Sequence, residues 1–198
     1  MAYATSALVK TYLSITSSSD DTLIGNLVTR AQAMIDRYTH RTFEASADST
    51  KYFDSIRDVR GYLLMFGREG LELATVPTTV TNGDTVVLVN NTDFVVAPTN
   101  TAPYYGLEML QSSSNVWTYT NPGNHQRAIS IVGKWAYSTV APDDIVAATI
   151  RLVAFLYRQR ESNADLDRAV SVGDGMVLLP GKLPADIASI LEPFRRYA

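Results

Sequence analysis

The residues with the most evident capacity for chemistry are four pairs of carboxylates close together in the sequence. They are Asp20/Asp21, Glu69/Glu72, Asp143/Asp144 and Asp165/Asp167. Two carboxylates are the minimum set for acid and base catalysis on a glycosidic bond. No spacing here matches a catalytic motif, and two of the pairs stand where helices are predicted to begin, a position that the helix dipole favours. Ordinary solvated charge is the favoured interpretation, and we expect no catalytic residues and no enzymatic activity.

Metal and nucleophile chemistry has even less support. The chain contains no cysteine, and its two histidines, His40 and His125, have no partner at ligand spacing. Thiolate zinc sites, disulfides and cysteine nucleophiles are therefore excluded. The sequence also lacks a Gly-x-Ser-x-Gly elbow, a phosphate loop and a Gly-x-Gly-x-x-Gly turn. We expect no metal site and no cofactor.

Basic residues offer a limited case for nucleic-acid contact. The net charge is −3, which argues against a protein that neutralises phosphates over its whole surface. Arg151 and Arg158 share a face of a predicted helix, and together with Arg160 they are the candidates to face DNA. The alternative, which is the commoner one, is a solvated helix end and an Arg151 paired with a carboxylate.

An aromatic cluster in the middle of the chain could form a platform on which sugars stack. Its members are Tyr104, Tyr105, Trp117, Tyr119, Trp135 and Tyr137. Aromatic residues in strands more often pack in the core or across neighbouring strands. A carbohydrate- or surface-binding module is therefore kept only as an alternative.

Helices are predicted at the beginning of the chain. Ser6 to Leu13 forms a short one, and Ser18 with Asp21 resembles a capping box that starts a second. The second helix has apolar residues at intervals of three and four, which predicts a broad stripe facing a core. The stripe comprises Leu23, Ile24, Leu27, Val28, Ala31, Met34, Ile35 and Tyr38.

From Thr42 to Tyr137 the sequence is typical of β-structure, with short β-branched and aromatic runs between turn residues. The Asn82-Gly83 pair predicts a tight turn, because both residues tolerate positive φ. The predicted strands are Lys51–Phe53, Tyr62–Phe66, Val86–Val89, Phe94–Val96, Leu107–Leu110, Val116–Tyr119 and Ala128–Trp135.

Helical sequence returns after Pro142, which suits the first turn of a helix. The helix body, Ile145 to Glu161, is apolar on nearly every side, so we expect its own subunit or a neighbouring one to cover every side. Its longest apolar run is too short for the ~20 residues of a membrane span. Ala169 to Leu179 is predicted to be extended, and Pro184 opens a final helix that reaches Tyr197.

These elements predict an α+β fold in a single domain, residues 1–198. The N-terminal helices (1–41) and the C-terminal helices (139–198) form a small helical bundle, and residues 42–138 form an inserted lobe. That lobe is an antiparallel β-sheet or a small barrel.

Three stretches, in this order and spacing, resemble the head–tail connector (adaptor or head completion) proteins of long-tailed double-stranded DNA phages. The first ends with residues 35–43, Ile-Asp-Arg-Tyr-Thr-His-Arg-Thr-Phe. The second joins residues 133–137, Gly-Lys-Trp-Ala-Tyr, to residues 140–145, Val-Ala-Pro-Asp-Asp-Ile. The third joins residues 171–174 to residues 183–187 and closes at 191–196. The resemblance covers the two helical ends, about half of the chain, and the long β insert departs from the smallest family members.

The resemblance implies a structural, non-enzymatic virion protein at the head–tail junction, present in the host cytoplasm during assembly. It would form a homo-oligomeric ring, of twelve subunits in this family, between the portal protein and a stopper or tail-terminator protein. Double-stranded DNA would pass through the lumen without sequence recognition, and no membrane is involved. A stopper or tail-terminator ring of the same particle is the alternative within this class.

Candidate contact residues follow from placing that role on the predicted elements. The portal-docking candidates lie on the last helix and are Leu183, Ile187, Leu191, Phe194, Arg195, Arg196 and Tyr197. The candidates for adding a strand to a partner's sheet lie in the extended segment and are Val170, Val172, Met176, Val177 and Leu178. The ring-interface candidates lie on the helix after Pro142 and are Ile145, Leu152, Phe155 and Leu156.

Overall fold

A computed structural model of the protein describes residues 2–67, 70–119, 123–161 and 183–196. The chain divides into two compact units. A β unit consists of Arg41–Ala141, and a helical unit combines Ala2–His40 with the chain from Pro142 onward. Helices and antiparallel sheets are thus segregated, and the predicted α+β class is confirmed.

The helical unit contains α1 (Ser6–Leu13), α2 (Asp21–Thr39), α3 (Asp143–Glu161) and α4 (Ala185–Leu191), followed by a 3₁₀ turn at Glu192–Phe194. The Thr5 side chain caps α1 by accepting a hydrogen bond from the Leu8 N–H. The predicted capping box of α2 is wrong. Asp20 is the N-cap residue without a side-chain cap, and the Asp21 N–H donates to the Ser18 carbonyl instead.

The β unit contains eight strands among its described residues. They are β1 (Ser49–Phe53), β2 (Val59–Arg60), β3 (Leu63–Met65), β4 (Thr79–Thr81), β5 (Val87–Leu88), β6 (Phe94–Ala97), β7 (Gly106–Met109) and β8 (Ile129–Gly133). Sheet 1 has the order β1-β8-β4-β5 and sheet 2 the order β2-β3-β7-β6, and every neighbouring pair is antiparallel. Both sheets thus have four strands that alternate in direction.

The predicted strand at Val116–Tyr119 is wrong, although its residue types favour β-structure. The backbone of this segment is instead hydrogen-bonded to the Asn82 side chain. The Asn82 amide donates to the Val116 carbonyl at 2.7 Å and accepts from the Thr118 N–H at 3.1 Å. A strand at Thr79–Thr81, which the sequence analysis does not predict, lies between β8 and β5.

The turn at Asn82-Gly83 is present but for a different reason than predicted. The positive φ belongs to Thr85, at 69°. Gly83 is required because a Cβ atom at this position would collide with the Thr118 carbonyl.

Side chains from both sheets form one hydrophobic core in the β unit. Phe53, Phe66 and Trp135 meet in it, with ring centroids 5.1–5.6 Å apart. The Trp135 indole N–H donates to the Ser49 carbonyl at 2.9 Å, so its one polar atom is satisfied.

A buried carboxylate, Asp93, joins the loops of this unit. It accepts hydrogen bonds from the Val89 N–H, the Ser113 hydroxyl and the Asn115 amide, at 2.7–2.8 Å. The bond from Val89, followed by those from Ser113 and Asn115, lowers the pKa of Asp93 below its usual 3.8. The stabilisation that ionised Asp93 provides is therefore complete above the unfolded pKa, and it is lost as the pH falls through the lower folded pKa.

We predict that Asp93→Asn lowers the free energy of unfolding at neutral pH by about 2 kcal/mol, because the amide cannot accept all three hydrogen bonds. Below pH 4 the free energy of unfolding of the variant should also fall less than that of the native protein, because the variant has no carboxylate to protonate at this position. Urea unfolding at several pH values measures both effects. Glu108→Gln, which changes an exposed carboxylate on β7, serves as the control, and equal stability of the two variants would contradict the prediction.

Candidate assembly surfaces of the helical unit

The helix α3 contacts α1, α2 and α4. Its buried side chains include Ile145, Ala148, Leu152, Val153 and Tyr157. The buried Thr149 hydroxyl donates to the Ile145 carbonyl one turn earlier, which removes the cost of burying a polar group. One face of α3 is thus the core of the helical unit.

Within its own subunit α3 is covered on one side, and coverage of its other side by a neighbouring subunit stays a prediction. Ala147, Arg151, Phe155 and Arg158 are exposed and follow one another at intervals of four, four and three residues, which defines a single outward stripe. We call these four residues the α3 stripe.

The ring-interface candidates are divided by this arrangement. Ile145 and Leu152 are fully buried within their own helical unit, so they present no surface to a neighbour. Leu156 is half-buried, and Phe155 is 40% exposed. Phe155 is therefore the candidate that a second subunit can reach.

Two further exposed apolar residues of this unit escaped the sequence analysis. Leu8 and Tyr12 lie one turn apart on α1 and are both about half exposed. Their spacing is that of a helix face, which is the signal that would have identified them.

The arginines predicted to face DNA have different environments. Arg151 forms an ion pair with Asp186, a short contact between α3 and α4, so the alternative of a carboxylate partner is confirmed. Arg158 is exposed on the α3 stripe. Arg160 lies within α3, and its side chain is outside the described part of the structure.

The docking candidates near the C-terminus are partly buried in their own unit. Ile187 and Leu191 are buried, whereas Leu183, Phe194, Arg195 and Arg196 are half-buried. Tyr197 and the strand-addition candidates Val170, Val172, Met176, Val177 and Leu178 lie outside the described residues.

A polar cluster fastens the chain after α4 to the end of α2. The Tyr38 hydroxyl donates to Glu192 at 2.8 Å, and the Arg195 guanidinium lies 5.3 Å from the centroid of the Tyr38 ring. The Arg196 N–H donates to the Thr39 carbonyl at 2.9 Å. Residues 192–196 are therefore held in a defined place on the helical unit.

The N-terminal end of the unit is joined by two tyrosine–carboxylate hydrogen bonds. The Tyr157 hydroxyl donates to Asp20 at 2.7 Å, and the Tyr3 hydroxyl donates to Asp36 at 2.5 Å. Burial raises the pKa of Asp36, although the hydrogen bond from Tyr3 opposes this shift. Asp20, one carboxylate of the pair Asp20/Asp21, therefore has a structural role, because its hydrogen bond links α3 to the start of α2.

The other carboxylate pairs show no catalytic arrangement among the described residues. Asp143 and Asp144 lie in the first turn of α3, as the helix-dipole interpretation predicts. Glu72 is buried and forms an ion pair with Arg41 at 2.7 Å. Glu69, Asp165 and Asp167 are outside the described residues.

The aromatic residues considered for sugar stacking have separate roles. Trp135 is in the core, and Trp117 packs against it and donates its indole N–H to the Tyr62 carbonyl. Tyr137 contacts Phe43, with ring centroids 5.7 Å apart. These contacts favour packing, and no group of three or more potential metal-binding side chains occurs in the described part of the chain.

A model of the family described as Head completion protein matches residues 3–197. The chain belongs to this family. Membership confirms the resemblance found in the sequence, and it identifies the chain as a structural protein of the phage head–tail junction within the virion. No curated protein matches this head completion protein.

Two solved structures share the fold of the head completion protein. The first is described as "Neck of empty GTA particle computed with C6 symmetry" and has a TM-score of 0.57 at 13% identity, over 98% of this chain and 89% of that chain. The second is described as "Neck of native GTA particle computed with C12 symmetry" and has a TM-score of 0.53 at 13% identity, over 90% of this chain and 84% of that chain. At this identity the likeness establishes the fold alone.

No helix within the described ranges is long and apolar enough to cross a membrane.

We predict that Leu191→Ala in the head completion protein lowers the free energy of unfolding by about 2–5 kcal/mol, since it leaves a cavity beneath α4. Leu8→Ala makes the same chemical change at an exposed position of the same unit, and it should cost less than about 1 kcal/mol. Urea unfolding followed by circular dichroism measures both. An unchanged free energy of unfolding for Leu191→Ala would show that α4 is not part of the core.

Proposed function

We propose that this head completion protein forms a ring of twelve identical subunits at the phage neck, docked on the portal protein and continuing the DNA channel towards the tail. The observation that carries the proposal is the family match over residues 3–197. The C12 symmetry named for one neck structure of the same fold supports twelve subunits. The single connector domain 1–198, with its β lobe at 42–138, is the repeating unit of this ring.

A closed ring requires two different surfaces on each subunit, because each copy contacts the next head to tail. The α3 stripe supplies an exposed aromatic residue, Phe155, between two arginines. Aromatic and arginine side chains are the types that most often dominate protein interfaces. The α3 stripe is therefore our candidate for one side of the ring contact, replacing the buried Ile145 and Leu152.

We predict that Phe155→Asp weakens each subunit contact by about 2 kcal/mol or more, roughly 30-fold in affinity, because it places a charge in an apolar contact. Native mass spectrometry of the variant mixed with purified portal should then show few or no complete rings. Circular dichroism should be unchanged, since the side chain is 40% exposed.

The matched control is Val76→Asp in the β unit, where the side chain is 39% exposed. It introduces the same charge at the same exposure and should leave ring assembly intact. If Phe155→Asp formed complete rings at the same protein concentrations as the wild type, α3 would not be part of the ring interface.

Docking on the portal is assigned to residues 192–196, the segment fastened to α2. Preorganisation of this segment lowers the entropic cost of binding. A modest contact made by each subunit becomes strong when all copies of the ring engage together. Ile187 and Leu191 support the segment from within the core, while Phe194, Arg195 and Arg196 are half-buried docking candidates that keep part of their surface accessible. The assignment of Val170–Leu178 to strand addition stays a prediction.

We predict that the double variant Phe194→Ala/Arg196→Ala loses at least tenfold in affinity for purified portal and still forms rings. The control, Arg60→Ala/Tyr62→Ala, removes an exposed arginine and aromatic residue from the β unit. Pull-down with portal alone measures docking, and it also tests the alternative of a stopper or tail-terminator ring, which would not bind portal directly. Unchanged portal binding by the first variant would contradict the docking assignment.

Passage of double-stranded DNA through the lumen fits a subunit with a net charge of −3. Each phosphate contact adds to the strength with which DNA is held, so few contacts favour sliding. Arg151 is paired with Asp186, and Arg158 belongs to the α3 stripe that is assigned to the ring contact. The assignment of Arg151, Arg158 and Arg160 to the lumen therefore stays a prediction.

A further inference from the structure

The outer strand of sheet 1, β5, carries an unusual edge. Residues 85–92, Thr-Val-Val-Leu-Val-Asn-Asn-Thr, contain no charge and no proline. Val86, Val87 and Val89 are all exposed, Val87 at 57%. Exposed edge strands normally carry charge or proline, which prevents pairing with other chains. This edge lacks both devices, and only the short length of β5, Val87–Leu88, limits pairing.

Sheet 2 of the same unit provides the contrast. Its edge strand β2 carries the exposed Arg60, and its other edge strand, β6, is followed at once by Pro98. Both edges of sheet 2 are thus protected in the usual manner. The other edge of sheet 1, β1, carries Lys51. Among the described edge strands, β5 is therefore the one with neither a charge nor an adjoining proline.

The backbone groups of Val87 point away from the sheet. The Asn82 N–H donates to the Val86 carbonyl, so in the β4–β5 register the hydrogen-bonded residues of β5 are Val86 and Leu88. In an antiparallel ladder the intervening residue directs its N–H and C=O outward. Within the described residues, no strand lies beyond β5 to accept them.

The same reasoning applies to β1, the opposite edge of sheet 1. Val87 pairs with Thr81, Thr81 with Ser130, and Ser130 with Tyr52, so these residues form one row across the sheet. Hydrogen-bonded and non-hydrogen-bonded pairs alternate along this row. The N–H and C=O of Tyr52 are therefore directed outward as well. Val87 and Tyr52, 57% and 45% exposed, are the two ends of the row.

We infer that β5 of one subunit pairs with β1 of the next, so that sheet 1 continues from subunit to subunit around the ring. The inference deepens the proposed function, because it rests on ring assembly and names a second contact surface.

Strand direction supports a neighbouring copy in the same orientation. Four alternating strands leave β5 antiparallel to β1, so a copy placed beside the first without inversion continues an antiparallel ladder. Pairing of β5 with β5 would instead be two-fold, would stop at a dimer and would leave β1 uncovered.

Side chains at the two edges are complementary. Val87 opposite Tyr52 is a β-branched and aromatic cross-strand pair, a favourable combination. The exposed Asp84 precedes Val87 by three residues, and the Arg127 guanidinium lies 4.4 Å from the centroid of the Tyr52 ring. Antiparallel pairing brings this carboxylate and this guanidinium to the same end of the junction.

The test uses the absence of cysteine from the chain, since any disulfide must then come from introduced residues. Facing residues of a hydrogen-bonded antiparallel pair have Cα atoms about 5.5 Å apart, within the range of roughly 4.4–6.8 Å that a disulfide spans. Val87→Cys/Tyr52→Cys is oxidised with oxidised glutathione in the presence of portal and analysed on non-reducing gels. Val87→Cys/Thr50→Cys covers a register shifted by two residues.

We expect one of these two variants to give a ladder of disulfide-linked oligomers of increasing size, and Val87→Cys mixed with Tyr52→Cys or Thr50→Cys to give dimers. The matched control is Arg60→Cys/Val95→Cys, whose residues end the equivalent row of sheet 2 through Leu63 and Glu108. This control should remain largely monomeric on the gel. Val87→Lys should reduce ring formation at least tenfold, whereas Val140→Lys, at a more exposed valine, should not.

Complete rings on electron micrographs without cross-linking of either sheet 1 pair would overturn the inference and leave the proposed function intact. Disulfide dimers of Val87→Cys alone as the main product would overturn it in favour of a two-fold contact. Absence of rings from the wild-type protein, with and without portal, would overturn both.

Discussion

The helical unit depends on the burial of one face of α3, against which α1, α2 and α4 all pack. Removing Ile145, Leu152 and Val153 from water contributes roughly 1.5–3 kcal/mol for each side chain. Polar groups that this burial encloses are hydrogen-bonded, as the bond from Thr149 to Ile145 within α3 and the bond from Tyr157 to Asp20 at the start of α2 show. The opposite face of the same helix keeps Arg151 and Phe155 exposed. Stability and assembly are thus assigned to different faces of a single element.

Much of the helical unit could be predicted from the sequence because its signals are local. Ser6–Leu13 was predicted with the observed bounds, and Pro142 with two aspartates marked the start of α3. The exposed face of α3 was indicated only by Arg151 and Arg158, because alanine suits either face and an aromatic residue such as Phe155 usually indicates burial. The ring-interface assignment of Ile145 and Leu152 failed for this reason, since large apolar side chains in a helix indicate burial but not which molecule provides it.

The β unit was harder to predict because polar side chains determine part of its pairing. The Asn82 side chain binds the backbone of residues 116–118, where a strand was predicted, and Asp93 joins its own loop to residues 113–115. Such bonds leave no periodic signal, whereas the strand at Phe94–Ala97 follows from its apolar residues. The difference between the edges of the two sheets could not be predicted. The lack of charge and proline in residues 85–92 is informative only once the strand order places these residues at an edge.

The division of the chain into a contiguous β unit and a helical unit drawn from both sides of it has a consequence for biosynthesis. Arg41–Ala141 is complete when it leaves the ribosome, so its core can close during translation. Apart from its contact with α1, the helix α2 packs against α3 and α4, which are synthesised about a hundred residues later. Until then α1 is the one described element of the helical unit that can cover the apolar stripe of α2. Nascent subunits therefore pass through a stage in which this stripe is available to chaperones, and the helical unit matures last.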